Sequence, residues 1–239
     1  MSCLENMRGL LPSSMLDWPG RVCSVLFLGG CNFRCPYCHN AELLEAGGSE
    51  DNVAWDDLEF FLRQRAGWID GVSITGGEPT IHEDLPELCA RLKGTGQPVK
   101  VDSNGSRPRM LADLISRGLA DFVAMDVKTS LERYAEVVRM PLDPMNIAES
   151  IDVIIASGVE HEFRCTVVPG LVGLEDLESL APRMQGARVL VLQQFSPGKT
   201  LDASLSGMKG YADEVLLEWA EKLSRAVPTQ VRGLVGSVS

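Results

Sequence analysis

No stretch of this 239-residue sequence approaches the roughly 20 consecutive apolar residues that cross a bilayer, which excludes a membrane helix. The opening segment MSCLENMRGLLPSSMLDWPG also lacks the basic start and apolar run of a secretory leader. A soluble, cytoplasmic protein is expected, with no membrane partner. Positive charge is scarce: 22 Lys and Arg face 33 Asp and Glu, for a net charge of −11. Such a surface repels phosphate backbones, so nucleic acid is not an expected partner. The seven cysteines lack the even spread of a secreted disulfide framework; three fall within the eight residues from Cys31 to Cys38. That clustering points to a metal site in a reducing compartment. Cys3, Cys23, Cys89 and Cys165 stand alone and read as small buried hydrophobes or inert thiols. There is no linker, repeat or low-complexity tract, so one domain over 1–239 is expected: a lead-in at 1–21, a core at 22–200, and a helix with an edge strand at 201–239.

What is present is an alternation of β-branched runs with amphipathic segments. Strands are expected over Val22–Leu28, Gly71–Thr75, Pro98–Asp102, Phe122–Asp126, His161–Val168 and Arg188–Gln193, with a last edge strand at Thr229–Arg232. Helices are expected over Asp57–Arg65 (with Asp56 as N-cap), Leu85–Lys93, Arg107–Arg117, Leu131–Val138, Ile147–Ser157, Leu174–Met184 and Tyr211–Ala226. Strand–helix alternation implies right-handed crossovers and a parallel sheet, either open or closed towards a barrel. Motifs lie after several different strands, which favours a barrel, where strand ends converge on one site.

The strongest motif follows the first of these strands: Gly29-Gly30-Cys31-Asn32-Phe33-Arg34-Cys35-Pro36-Tyr37-Cys38-His39-Asn40. Its glycines and proline suit a loop around an inorganic centre. Four irons normally take four thiolates, so three leave one iron open to an exogenous ligand. Zinc is the competing reading, with His39 as the fourth ligand, but His39 is adjacent to Cys38 and zinc spacings leave residues between ligands. After the second strand comes Gly76-Gly77-Glu78-Pro79, in which two glycines expose backbone groups and a carboxylate can meet an ammonium.

Together these motifs resemble the radical S-adenosylmethionine (SAM) superfamily. The resemblance implies an α/β fold, a partial (β/α)6 TIM-like barrel. It implies a [4Fe–4S] cluster on Cys31, Cys35 and Cys38, with SAM chelating the open iron. Tyr37 would lie near the adenine, and Gly76, Gly77, Glu78 and Pro79 would receive the methionine ammonium. The resemblance narrows to the activating enzymes of glycyl radical enzymes through Asp17-Trp18-Pro19-Gly20-Arg21, Cys38-His39-Asn40, Asp102-Ser103-Asn104-Gly105, Asp126-Val127-Lys128, Phe163-Arg164 and Val167-Val168-Pro169-Gly170. His39, Ser103, Asn104, Asp126, Lys128, Arg164 and Gln194 join the expected SAM pocket, with Lys128 and Arg164 suited to a carboxylate or ribose hydroxyls. Asp102 and Asp126 offer oxygen ligands for a monovalent or divalent cation. His82 and His161 are expected outside the chemistry, His161 at a strand entrance.

The segments GLLPSSMLDWPG, CNFRCPYCHN and QQF are most similar to the longer type of anaerobic ribonucleoside-triphosphate reductase activating protein. The implied reaction is reductive cleavage of SAM to a 5′-deoxyadenosyl radical that takes hydrogen from a partner's glycine. The implied partners are anaerobic ribonucleotide reductase and a flavodoxin or ferredoxin donor. Pyruvate formate-lyase activating enzyme is the alternative within the family, although that group carries a His where this chain has Gln193-Gln194-Phe195. A radical SAM enzyme acting on a small molecule, similar to 7-carboxy-7-deazaguanine synthase, and a non-catalytic metal-binding module are the alternatives outside it.

Overall fold

A computed structural model describes residues 2–45 and 52–234; the extreme ends of the expected single-domain range lie outside it. The described residues form eight strands: β1 Met7–Ser14, β2 Cys23–Leu28, β3 Gly71–Gly76, β4 Val99–Ser103, β5 Phe122–Asp126, β6 Glu160–Val167, β7 Leu190–Gln194 and β8 Thr229–Arg232. The α-helices are α1 Trp55–Gln64, α2 Leu85–Gly94, α3 Pro108–Ser116, α4 Tyr134–Val138, α5 Pro144–Ser157, α6 Leu174–Leu180 and α7 Asp213–Leu223. The chain divides into two compact units. The first comprises Met1–Asn32, Glu42–Ser103 and Arg109–Val123, and the second Phe33–Ala41, Asn104–Pro108 and Ala124–Ser239. The polypeptide passes between them at several points, so no linker marks the division.

In the first unit, β1 runs antiparallel to β2, while β2 with β3 and β3 with β4 are parallel. The strand β1 was not expected. Gly9 and Pro12 interrupt its pattern, and its register with β2 shifts between Met7 and Gly9 and again between Leu11 and Ser14. Val25, Leu26, Leu28, Ile74 and Val101 are buried, as are Leu58 and Leu62 of α1 and Leu88 and Leu92 of α2, at the spacing of one helix face. The N-cap of α1 is Ala54 rather than Asp56, and no side chain caps the helix.

In the second unit, β6, β7 and β8 are parallel neighbours. Helix α5 begins three residues earlier than expected because Pro144 takes its first turn, where no N–H is needed, and Asp143 Oδ1 accepts the Met145 N–H at 2.9 Å. It stops at Gly158, whose φ of 71° ends the helix in the left-handed conformation. The helix expected over Leu131–Val138 splits into a 3-10 turn, Leu131–Arg133, and α4. His161 lies at the entrance of β6. Its Nδ1 sits 2.7 Å from the Val159 carbonyl, and its Nε2 accepts the Arg188 N–H at 3.2 Å.

Trp18, from the lead-in motif, is buried against Gly71 and the Phe122 ring, whose centroid is 6.0 Å away, with the Arg21 guanidinium over its face. We expect Trp18→Ala to cost about 3–5 kcal/mol, the usual range for emptying a large aromatic site. Urea unfolding followed by circular dichroism checks this; a midpoint at the wild-type value would show that the indole carries no packing.

Candidate active site

The expected site residues fall into one group in each unit. In the first unit, β2 and β3 are in parallel register with Leu28 opposite Gly76. The two strands therefore release their glycine loops at the same level. Gly77 N–H donates to Leu28 O at 2.8 Å, and Glu78 N–H donates to Gly30 O at 2.7 Å. A Cβ on Gly77 would stand 1.9 Å from the Gly30 carbonyl oxygen, and one on Gly76, at φ 120°, would stand 2.3 Å from Leu28 O. Only glycine permits this approach. The loop is braced from behind by buried His82, whose Nε2 lies 2.9 Å from Gly29 O. His82 is thus a positioning group for the glycine turn.

Glu78 is buried, and its Oε1 accepts the Thr80 N–H at 3.1 Å, the Thr80 hydroxyl, and the Ser103 hydroxyl at 2.9 Å. Pro79 follows as the first residue of a 3-10 turn, Pro79–Ile81. The structure thus brings Glu78 and Ser103 together. It adds Thr80, which sequence reading missed although a hydroxyl two residues after a carboxylate is a recognisable turn signal. Lys100 was also missed. It is fully buried in β4, with its ammonium on the Asp102 carboxylate and 3.4 Å from Ser73 Oγ. Residues 100 and 102 share one face of a strand, so the pairing was legible from the two-residue period.

In the second unit, Asp126 at the end of β5 is held by Arg164 Nε at 2.8 Å and Lys128 Nζ at 3.0 Å. Burial by itself pushes the Asp126 carboxyl up, but the charges of Arg164 and Lys128 outweigh it and hold the group well below the ordinary carboxylate range. Burial likewise opposes the Lys128 charge, and Asp126 more than restores it. Tyr134, another missed residue, accepts the Lys128 N–H on its hydroxyl at 3.1 Å. Asn104 shapes the turn after β4 by accepting the Ser106 N–H at 3.0 Å. His39 stacks on Phe195, and its Nε2 lies 3.1 Å from the Ser196 carbonyl. The Gln194 amide donates to Tyr211 O at 2.6 Å, and its Oε1 lies against Gly210, buried without a hydrogen-bond partner.

None of the seven cysteines is in a disulfide. Burial pushes the Cys23 thiol up to about 11 and those of Cys89 and Cys165 up to about 12, in keeping with inert interior groups. Cys31 belongs to the first unit, Cys35 and Cys38 to the second. The loop supplies the donors an iron–sulfur cluster takes, three cysteine thiols, and the buried Tyr37 hydroxyl in that loop has no hydrogen-bond partner. Among the described residues no three Cys, His, Asp or Glu side chains gather as a single-ion site. A four-iron cluster, whose thiolates bind different irons, needs no such gathering. The cation expected on Asp102 and Asp126 has no support. Each carboxylate already faces cationic side chains of its own chain, Lys100 in one case and Arg164 with Lys128 in the other.

Two outcomes follow. Gly77→Ala should abolish SAM binding in equilibrium titration, because the Gly30 carbonyl must move to admit the methyl group. Retained affinity would mean that this close approach is not needed. Asp126→Asn should destabilise the chain by about 3 kcal/mol at neutral pH, because Lys128 and Arg164 each lose a carboxylate partner in mostly buried surroundings. The carboxyl group is depressed on folding, so its contribution is present above the unfolded pKa of about 3.9 and is lost as pH falls below it. The gap between wild type and variant in urea unfolding should therefore close in acid.

Residues 25–181 match the sequence pattern of the Radical SAM superfamily. A protein of Methanocaldococcus jannaschii named "Putative glycyl-radical enzyme activating enzyme" is 34% identical over 201 residues, covering 81% of each chain. Pyruvate formate-lyase-activating enzyme of Listeria monocytogenes is 28% identical over 122 residues, covering 47% of this chain and 49% of its own. Among solved structures, Streptococcus suis SuiB bound to S-adenosylmethionine superposes with a TM-score of 0.62 at 16% identity, over 85% of this chain and 48% of that one. Methylornithine synthase superposes with a TM-score of 0.59 at 14% identity, over 84% and 60%. These likenesses show the fold, an α/β arrangement on parallel strands of the class expected. With its cysteine loop and glycine-glutamate turn inside the matched segment, the chain belongs to the radical SAM superfamily and is an enzyme of that kind.

Proposed function

We propose that the chain activates a glycyl radical enzyme, with Cys31, Cys35 and Cys38 as ligands of a [4Fe–4S] cluster. The observation that carries this reading is the 34% identity to an activating enzyme across 81% of both chains. Anaerobic ribonucleoside-triphosphate reductase is the partner we propose, and flavodoxin or ferredoxin the electron donor, in the cytoplasm. No helix among the described residues is long and apolar enough to cross a membrane.

When bound, the cluster would supply an electron to SAM, and SAM the hydrogen-abstracting group that oxidises a glycine Cα of the partner. The chain's own residues hold and orient. Gly76 and Gly77 offer backbone groups to the methionine end of SAM, and Glu78, fixed by Thr80 and Ser103, sets the turn that presents them. Lys128 and Arg164, locked on Asp126, hold their positive charges in place for a carboxylate or ribose hydroxyls without needing to reorganise. The Tyr37 hydroxyl, buried without a partner, leaves room for a polar group of the cofactor.

The pyruvate formate-lyase activating reading draws on the shorter match to that enzyme. Against it, Gln194 occupies the end of β7 and is tied to Tyr211. The test is anaerobic reconstitution with iron and sulfide, reduction by dithionite, and addition of SAM with each candidate partner. We expect 5′-deoxyadenosine to form and a glycyl radical doublet to appear by EPR on the ribonucleotide reductase, with both signals lost in Cys35→Ala. A colourless protein holding zinc without sulfide would overturn the proposal, and a doublet on pyruvate formate-lyase alone would reassign the partner.

A further inference from the structure

Within the second unit, the cysteine loop is gripped from two sides. On one side α4 ends at Val138, whose carbonyl accepts the Arg34 N–H at 2.9 Å. On the other, Leu201 N–H donates to Cys38 O at 3.1 Å and Asp202 N–H donates to Pro36 O at 2.8 Å. The two gripping segments are joined to each other. Arg139, next to Val138, places Nη2 2.7 Å from Asp202 Oδ2. Arg139 is the only non-glycine among the described residues with a positive φ, 53°, a conformation that L side chains resist. Asp202 is further ordered by its other oxygen, which accepts the Ser204 N–H at 3.1 Å and the Ser204 hydroxyl at 2.7 Å. The stretch from Arg34 to Cys38, which carries two of the three proposed cluster ligands, thus sits in a bracket closed by one ion pair.

We propose that Arg139 and Asp202 are positioning residues for the cluster: their ion pair holds the cysteine loop closed and slows loss of iron. This rests on the cluster reading above. The pair touches no expected cofactor and contributes no ligand. Its effect passes through three backbone hydrogen bonds to the loop, so it acts on how long the cysteines stay in place.

The test uses the full chain, reconstituted anaerobically and challenged with an iron chelator, with decay of the cluster's visible absorbance as readout. Arg139→Gly removes the guanidinium and relieves the positive φ, so a residue of merely structural importance would tolerate it or gain stability. Asp202→Asn keeps the oxygen that orders Ser204 and removes the charge. We expect each variant to lose its cluster about threefold to fivefold faster than wild type, the range of one partly exposed pair. The double variant should be no faster than the faster single, because both changes break the same contact. High salt should speed loss from wild type and leave the double variant unchanged. Wild-type decay in both single variants, or effects that multiply in the double, would overturn the clamp alone. A wild-type chain that takes up no cluster would overturn the cluster reading, and the clamp with it.

Discussion

The parallel register of β2 and β3 is the constraint from which the site descends. With Leu28 opposite Gly76, the two strands end at the same height, and the loops that follow are forced together. Two backbone hydrogen bonds, from Gly77 to Leu28 and from Glu78 to Gly30, fasten the glycine turn to the start of the cysteine loop. There is no space for a side chain at position 77 in this arrangement. A slip of one residue would turn every side chain of β3 to its other face and break both bonds. The placement of Glu78, and through it of Thr80 and Ser103, is a consequence of this pairing.

Buried charges are the second organising element, and their pairing decides what they can do. Lys100 is fully enclosed yet sits on Asp102, and Asp126 is shared by Arg164 and Lys128. An ionised group in such surroundings persists only with a partner, and with one it becomes immobile. The carboxylates therefore serve as fixed anchors that orient ammonium and guanidinium groups. They are poorly suited to wrap a metal cation. In each unit the charges are thereby aimed in advance and need no reorganisation when a ligand meets them.

Short, gapped motifs were the most legible part of the chain. The cysteine loop, the glycine-glutamate turn and the polar residues at the ends of β4 and β5 could be located because each interrupts a strand pattern with residue types that strands avoid. Strand β5 and the edge strand β8 were read with their observed limits. By contrast, β1 was hidden: its pairing with β2 carries register shifts, and a bulged strand loses the alternation by which strands are recognised. The surroundings of Gln194 were hidden for a different reason: its position at a strand end is visible in the sequence, but its contacts with Gly210 and Tyr211 come from a later segment of the chain.

The sequence by itself determined the chemistry on offer: three thiols in one loop, a glycine pair before a carboxylate, and alternating strands and helices that demand parallel pairing. Those properties are local, set by residue type and spacing. Tertiary structure alone decided which charge faces which, because Asp126 meets Arg164 only when β5 and β6 are laid down. It also decided that Arg139 and Asp202, sixty-three residues apart in the chain, would meet beside the stretch from Arg34 to Cys38. Ion pairs and close approaches depend on distances in space, and a sequence of side chains carries those only after the backbone has been folded.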